Sequence, residues 1–188
     1  MTVCRYREMR AAVKRTRYRG VPGKLEISGT GIVHDLQAPG RPHELTALRV
    51  RGRLERVLPE EVAAHTGTPD VEHEPEGLLR HPDIMVIALE DMEGEGSSDP
   101  RTVVAAIEIV SRSNPDNDWV GKTWDHPSLG IPVYAVFDPR TGSGAVFTDI
   151  HPTPEGPRYA TRKDFLYGEE VTIAGWTIPT ADLPRYAP

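Results

Sequence analysis

Residues 103–110 read VVAAIEIV, an apolar run of strand length with one carboxylate, Glu108, set inside it. β-Branched residues and alanines at the other positions suit a strand covered on both faces. A strand of that kind needs a layer on each side, which points to an α/β (α+β) architecture with a central mixed β-sheet flanked by helices. A carboxylate placed there loses its hydration, a cost of several kcal/mol unless a cation or hydrogen bonds compensate. Two compensations are open: a buried ion pair with an arginine, or ligation of a hard divalent metal.

Upstream, Ile84–Leu89 (IMVIAL) predicts a second strand, opened by Asp83 directly after Pro82. The connection between the two strands, residues 90–101 (EDMEGEGSSDPR), reads as a flexible acidic loop. Asp83 and Glu108 on neighbouring strands form a carboxylate pair of the sort that suits Mg²⁺, which keeps waters and takes phosphate oxygens as further ligands. Downstream, a polar loop from Ser111 leads to a short helix expected over Asp116–Trp124, ended by Pro127 and Gly130. Lys122 follows Asp118 by four residues, so it is either a surface lysine paired with Asp118 or an ammonium aimed at the metal's water; spacing alone favours the first. Strands are expected at Val133–Phe137 and around Gly144–Thr148, Arg158–Thr161 and Val171–Ile178.

Toward the N-terminus, residues 3–19 have helical composition and many basic positions, and Gly20-Val21-Pro22-Gly23 punctuates the chain before an extended stretch from Lys24 to Val33. A helix is expected from His43 to Leu58, where Ala47, Val50, Leu54, Val57 and Leu58 recur at helical spacing. Residues 60–80, acidic and rich in Pro and Gly, read as loop. His65, His73 and His81 within and beside it recur every eight residues, neither a helical nor a close metal-ligand spacing, and are expected to be exposed. Gly121-Lys122-Thr123 lacks the glycine and the nearby strand that a phosphate-binding P-loop requires.

The whole is 188 residues, enough for one domain spanning 1–188. With 17 Gly and 18 Pro the chain is loop-rich but short of the roughly 25–30% that signals low complexity. It has no apolar run near the roughly 18 residues of a membrane helix. The opening MTVCRYREMR has no apolar leader stretch, and the single Cys4 excludes an intrachain disulfide, so a soluble cytoplasmic protein is expected. Charge divides unevenly: residues 1–58 carry 13 Lys/Arg against 5 Asp/Glu, and residues 59–188 carry 9 against 23. A basic segment can meet phosphates while an acidic remainder holds metal, although two differently charged solvated surfaces would read the same way.

From Pro82-Asp83 through AIEIVSRSNPDNDWVGK to GIPVYAVFDP the chain resembles the Uma-type restriction endonuclease family of the PD-(D/E)XK nuclease superfamily, its actinobacterial branch in particular. The matching pattern is a strand-borne Pro-Asp, then a strand with Glu108 ending at Ser111, then Asp116–Trp119, the helix lysine Lys122, and Gly130–Pro139. The resemblance implies an αβββαβ nuclease core and hydrolysis of DNA phosphodiesters by in-line attack of a metal-activated water. It implies Asp83 and Glu108 as metal-binding acids, the Ile109 carbonyl as a third ligand, Mg²⁺ or Mn²⁺ as cofactor and Lys122 as the catalytic lysine. Glu26 matches a family glutamate that approaches the same site.

The sequence also departs from the family pattern. Val110 stands where the superfamily usually has its lysine, Gly31 where a second glutamate is expected, and His126 where a helix tyrosine is frequent. Arg49, Arg51, Arg53, Arg56 and Ser111 are the candidate DNA contacts, and a homodimer is expected by analogy with enzymes that cut both strands. The competing reading is a catalytically weak nuclease-fold protein that binds nucleic acid or a protein partner.

Overall fold

The computed structural model describes residues 2–29, 31–35, 40–67 and 70–187. Its centre is a six-stranded sheet built from β3 (Val62–His65), β6 (Ile84–Ala88), β7 (Val103–Ile109), β8 (Val133–Asp138), β9 (Ser143–His151) and β10 (Arg158–Leu166). The strand order is β10-β9-β8-β7-β6-β3, parallel only between β7 and β8 and antiparallel elsewhere, so the sheet is mixed as expected. A second sheet, β2-β1-β5-β4, joins β1 (Lys24–Ser28), β2 (Gly31–Asp35), β4 (Val71–His73) and β5 (Leu78–Arg80). Helices α1 (Val3–Tyr18), α2 (Arg41–Leu54) and α3 (Lys122–Ser128) and a small hairpin of β11 (Glu170–Ile173) and β12 (Trp176–Pro179) complete the fold. The succession α2, β3, β6, β7, α3, β8 supplies the αβββαβ order, with the β4–β5 hairpin inserted.

The alternation along β7 explains its all-apolar reading. Ala105, Ile107 and Ile109 face α2 through Ala47, Val50 and Leu54, together with Ile84, Val86, Ala135 and Phe137. Ala106 and Val110 face the other way, into a layer with Met85, Tyr134, Val136, Leu129 and Ile131. By parity Glu108 belongs to this second face. A smaller core under α1 holds Tyr6, Val13, Leu25, Ile27 and Leu79.

Residues 60–80 are not loop: they hold β3, β4 and β5, strands of three or four residues too short to display a period; β3 pairs with β6, β5 with the distant β1, and β4 with β5 in a hairpin. The stretch from Lys24 is a hairpin, not one strand, and Val171–Ile178 turns back on itself at Ala174-Gly175. Helix α2 stops at Leu54, four residues before the expected end, leaving Val57 and Leu58 in a closing turn. The expected helix at 116–124 is a π turn over Asn117–Gly121 that runs into α3, and Pro127 lies inside α3 rather than beyond it. Gly130, at φ 78°, ends that helix, and the Ile131 N–H donates to the His126 carbonyl at 3.1 Å. Within 90–101 the acidic loop is tethered, because Ser97 Oγ donates to Glu72 and the Ser98 N–H to the Asp70 carbonyl.

Candidate active site

β6 begins and β7 ends at the same end of the central sheet, which sets Asp83 beside the C-terminal end of β7. The Ile109 N–H donates to Asp83 Oδ2 at 2.8 Å. In an extended strand a residue's N–H and C=O leave on the same side, so the Ile109 carbonyl also points toward Asp83. Glu108 is 1% exposed, with Oε1 2.7 Å from Lys122 Nζ but outside hydrogen-bonding geometry. Lys122 also lies 2.9 Å from Asp118 Oδ1 and 3.5 Å from Glu26 Oε1. The π turn puts Asp118 and Lys122 on one face, so the intrahelical pair that the spacing suggests exists, but buried at 6% and 1% instead of on the surface.

Glu26 is clamped from every side. Its Oε2 accepts from Arg80 Nη1 at 2.9 Å and Asn117 Nδ2 at 3.0 Å, and its Oε1 accepts from the His81 N–H at 2.9 Å. Arg80, 1% exposed, reaches onward to Asp125 from Nε at 2.9 Å and from Nη2. Asp83, Glu108, Lys122, Glu26 and Ile109 are thus brought together. They lie around a cleft of about 1120 Å³ whose rim includes Ser111, Arg112 and Tyr186. Ser111 Oγ accepts from the Asn114 N–H at 3.3 Å.

Arg49, Arg51, Arg53 and Arg56 are not brought to this cleft. Arg53 donates to the carbonyls of Pro179 and Ala181, both at 2.9 Å, and pairs with Asp182, which Arg49 also meets. Arg51 pairs with Glu55 and Arg56 lies exposed beyond the end of α2. Arg49 and Arg53 lie together on one flank of α2 and hold the chain at and after the end of β12, while Arg51 lies on the other flank, near Thr66. His81 is not an exposed histidine: its Nδ1 lies 2.9 Å from Asp70 Oδ1 with 13% of the side chain exposed.

Several members of the site were not foreseen. Lys24 Nζ lies 3.0 Å from Asp83 Oδ1 and 3.5 Å from Glu108 Oε2, and His43 Nε2 is 3.2 Å from Asp83 Oδ2. Lys24 precedes Glu26 by two residues in a strand, so the shared face was readable. Asn117 lies within the Asp116–Trp119 motif but had no role assigned, and His43 and Arg80 carry no local signal; only the folded chain brings those two in. His126, in place of the helix tyrosine, is fully buried against Tyr134 with neither ring nitrogen bonded.

The charges settle each other unequally. Burial works against the Lys122 ammonium, but Asp118, Glu108 and Glu26 outweigh it and keep that group charged well above the ordinary lysine range. Burial likewise opposes Asp83 and Glu26, yet Lys24 and His43 hold the first well below the ordinary carboxylate range, and Lys122 and Arg80 hold the second below it. For Glu108 burial dominates and pushes the carboxyl up against the pull of both lysines. Among the described residues no group of three or more His, Cys, Asp or Glu side chains is arranged to hold a metal ion.

The architecture has counterparts. The crystal structure of a putative nuclease belonging to DUF820 from Anabaena variabilis ATCC 29413 matches with a TM-score of 0.61 at 15% identity, covering 82% of this chain and 86% of that one. At that identity the likeness concerns the fold. No curated protein matches the chain. The family model Uma2, described as putative restriction endonuclease, matches residues 6–181. Only short stretches at either end fall outside that match, and the chain belongs to the Uma2 family of putative restriction endonucleases.

Proposed function

We propose that the protein is a divalent-metal-dependent DNA endonuclease whose active site is the Asp83–Glu108–Lys122 cluster. One observation carries the reading: Asp83 Oδ1 and Glu108 Oε2 converge on a single cationic centre, with a lysine against the other Glu108 oxygen. The donor set fits a hard cation. Glu108 Oε1 is buried against Lys122 without a hydrogen bond, and among the described residues five carboxylates (Glu26, Asp83, Glu108, Asp118, Asp125) are ion-paired with three permanent cations, Lys24, Lys122 and Arg80. Mg²⁺ accepts such a sparse protein set because phosphate oxygens and water complete it, and Mn²⁺ can take its place.

Asp83 and Glu108, with the Ile109 carbonyl, would hold the ion. When bound, it supplies Lewis-acid polarisation of the phosphoryl oxygens and a more acidic water. Lys122, fixed by three carboxylates, orients that water and stabilises charge developing on the phosphate. Glu26 keeps Lys122 in place and is itself fixed by Arg80 and Asn117. Ser111 at the rim offers a hydroxyl to the DNA backbone. Cutting both strands of a duplex calls for two such sites, and we place the active unit as a homodimer.

The test is supercoiled plasmid incubated with Mg²⁺ or Mn²⁺, beside EDTA and Glu108→Ala controls. Nicking or linearisation that disappears in both controls is the expected result, with the variant still folded by circular dichroism. Intact plasmid with folded, metal-bound protein would overturn the enzymatic reading and favour a protein that only binds DNA.

A further inference from the structure

Lys24 opens β1, and its side chain leaves the same face as Glu26, into the cleft. Its ammonium touches one oxygen of each carboxylate assigned above to the metal. It differs from the other cations of the site. Its side chain is 27% exposed, whereas those of Lys122 and Arg80 are 2% and 1% exposed and are locked between acids. Lys24 is also a point charge on a flexible stem, bound to the rest of the site through the carboxylate pair. Glu26, Asp118 and Asp125 are already engaged by Arg80, Asn117 and Lys122.

We propose that Lys24 is a second catalytic lysine, which holds the cation position between Asp83 and Glu108 in the metal-free protein, yields it to a divalent cation, and then pairs with the scissile phosphate. This rests on the metal-dependent nuclease reading. Mg²⁺ draws its oxygens in to about 2.0–2.1 Å, so an ammonium cannot share the position those oxygens surround. The open side of the cleft is left to the displaced Nζ, and the phosphate arrives from that side. The lysine stays protonated throughout; it exchanges two carboxylate contacts for a phosphodiester contact, and no covalent bond changes.

The experiment pairs Mn²⁺ binding by isothermal titration calorimetry with plasmid cleavage at saturating Mn²⁺, for wild type, Lys24→Met and Glu108→Gln. Lys24→Met is expected to bind Mn²⁺ at least tenfold more tightly, equivalent to about 1.4 kcal/mol of competition removed, and yet to cleave at least tenfold more slowly. A merely structural lysine would not give that split, because disorder in the site weakens binding and chemistry together. Lys24→Gln serves as the second neutral variant should Lys24→Met fail to fold. Equal Mn²⁺ affinity with and without Lys24, lost in Glu108→Gln, overturns the proposal and leaves the nuclease reading standing. Undiminished cleavage by a neutral Lys24 variant overturns it as well. Absence of Mn²⁺ binding in wild type and both neutral variants overturns the metal reading, and the proposal with it.

Discussion

Replacing Arg80 by Met probes the charged floor of the cleft. The guanidinium is 1% exposed and spends its donors on Glu26 and Asn117 at 2.9 and 3.2 Å and on Asp125. Methionine keeps an unbranched apolar stem, so the change isolates the charge. Removing one partner of a buried ion pair costs about 3–5 kcal/mol, because the charge left behind stays dehydrated. Two acids are left here, unequally. Glu26, 2% exposed, keeps Lys122 at 3.5 Å and the His81 N–H at 2.9 Å, whereas Asp125, 16% exposed, can take up water. The lower part of the range follows, about 3–4 kcal/mol. A domain's whole stability is about 5–15 kcal/mol. At about 2–4 °C per kcal/mol for a chain of this size, the melting temperature should fall by roughly 6–16 °C. Urea unfolding followed by circular dichroism gives the loss, and a cycle with Glu26→Gln gives the coupling, expected above about 1 kcal/mol for residues in direct contact. A loss below about 1 kcal/mol, the size of an ordinary substitution, or strict additivity with Glu26→Gln would refute the reasoning.

Two further predictions concern pairs away from the carboxylate–lysine cluster. Burial opposes the Asp70 charge, but hydrogen bonds from His81 and Arg17 bring its carboxyl from the ordinary 3.8 down to about 2. A depressed carboxylate contributes its stability above the unfolded value and loses it as pH falls through the folded one, so about 2 kcal/mol should disappear between pH 4 and 2. Asp70→Asn should remove that portion of the acid-induced loss in urea midpoints, and an unchanged pH profile would contradict the assignment. Arg53→Ala should cost about 1–3 kcal/mol by releasing the carbonyls of Pro179 and Ala181 and the Asp182 carboxylate, while leaving DNA affinity in a gel-shift assay unchanged. Weakened DNA binding would return this arginine to the nucleic-acid interface.

The central sheet was legible because β6, β7 and β8 are buried on both faces, and continuous apolar runs such as VVAAIEIV have few other uses. Glu108 stood out for the same reason: a carboxylate in such a run must be answered by something. What answers it was harder to read. The sequence offered an arginine partner or a metal, and the structure places two lysines there, one on α3 and one on β1. β3, β4 and β5 were invisible because strands of three or four residues owe their existence to their partners, for β3 and β5 far along the chain, and not to local composition. The arginines of α2 looked available for phosphate because charge shows in a sequence, while the carbonyls after β12 that occupy Arg53 do not. The Asp118–Lys122 pair was readable from its spacing, but not its burial, which depends on a π turn that no residue type announces.

The four-stranded sheet meets the central one and α3 at this same cluster. Val71 and Leu78 join its apolar layer, Lys24 pairs with Asp83 and Glu108 at the end of β6 and β7, and Glu26 and Arg80 pair with Lys122 and Asp125 on α3. A ligand that redistributes these charges therefore also alters how firmly one sheet is fastened to the other. By thermodynamic reciprocity, whatever grips the cleft is gripped back by the packing of β1 and β5. Amide hydrogen exchange along Lys24–Ser28 and Leu78–Arg80 then becomes a gauge of occupancy, read in the backbone and not at the charges themselves.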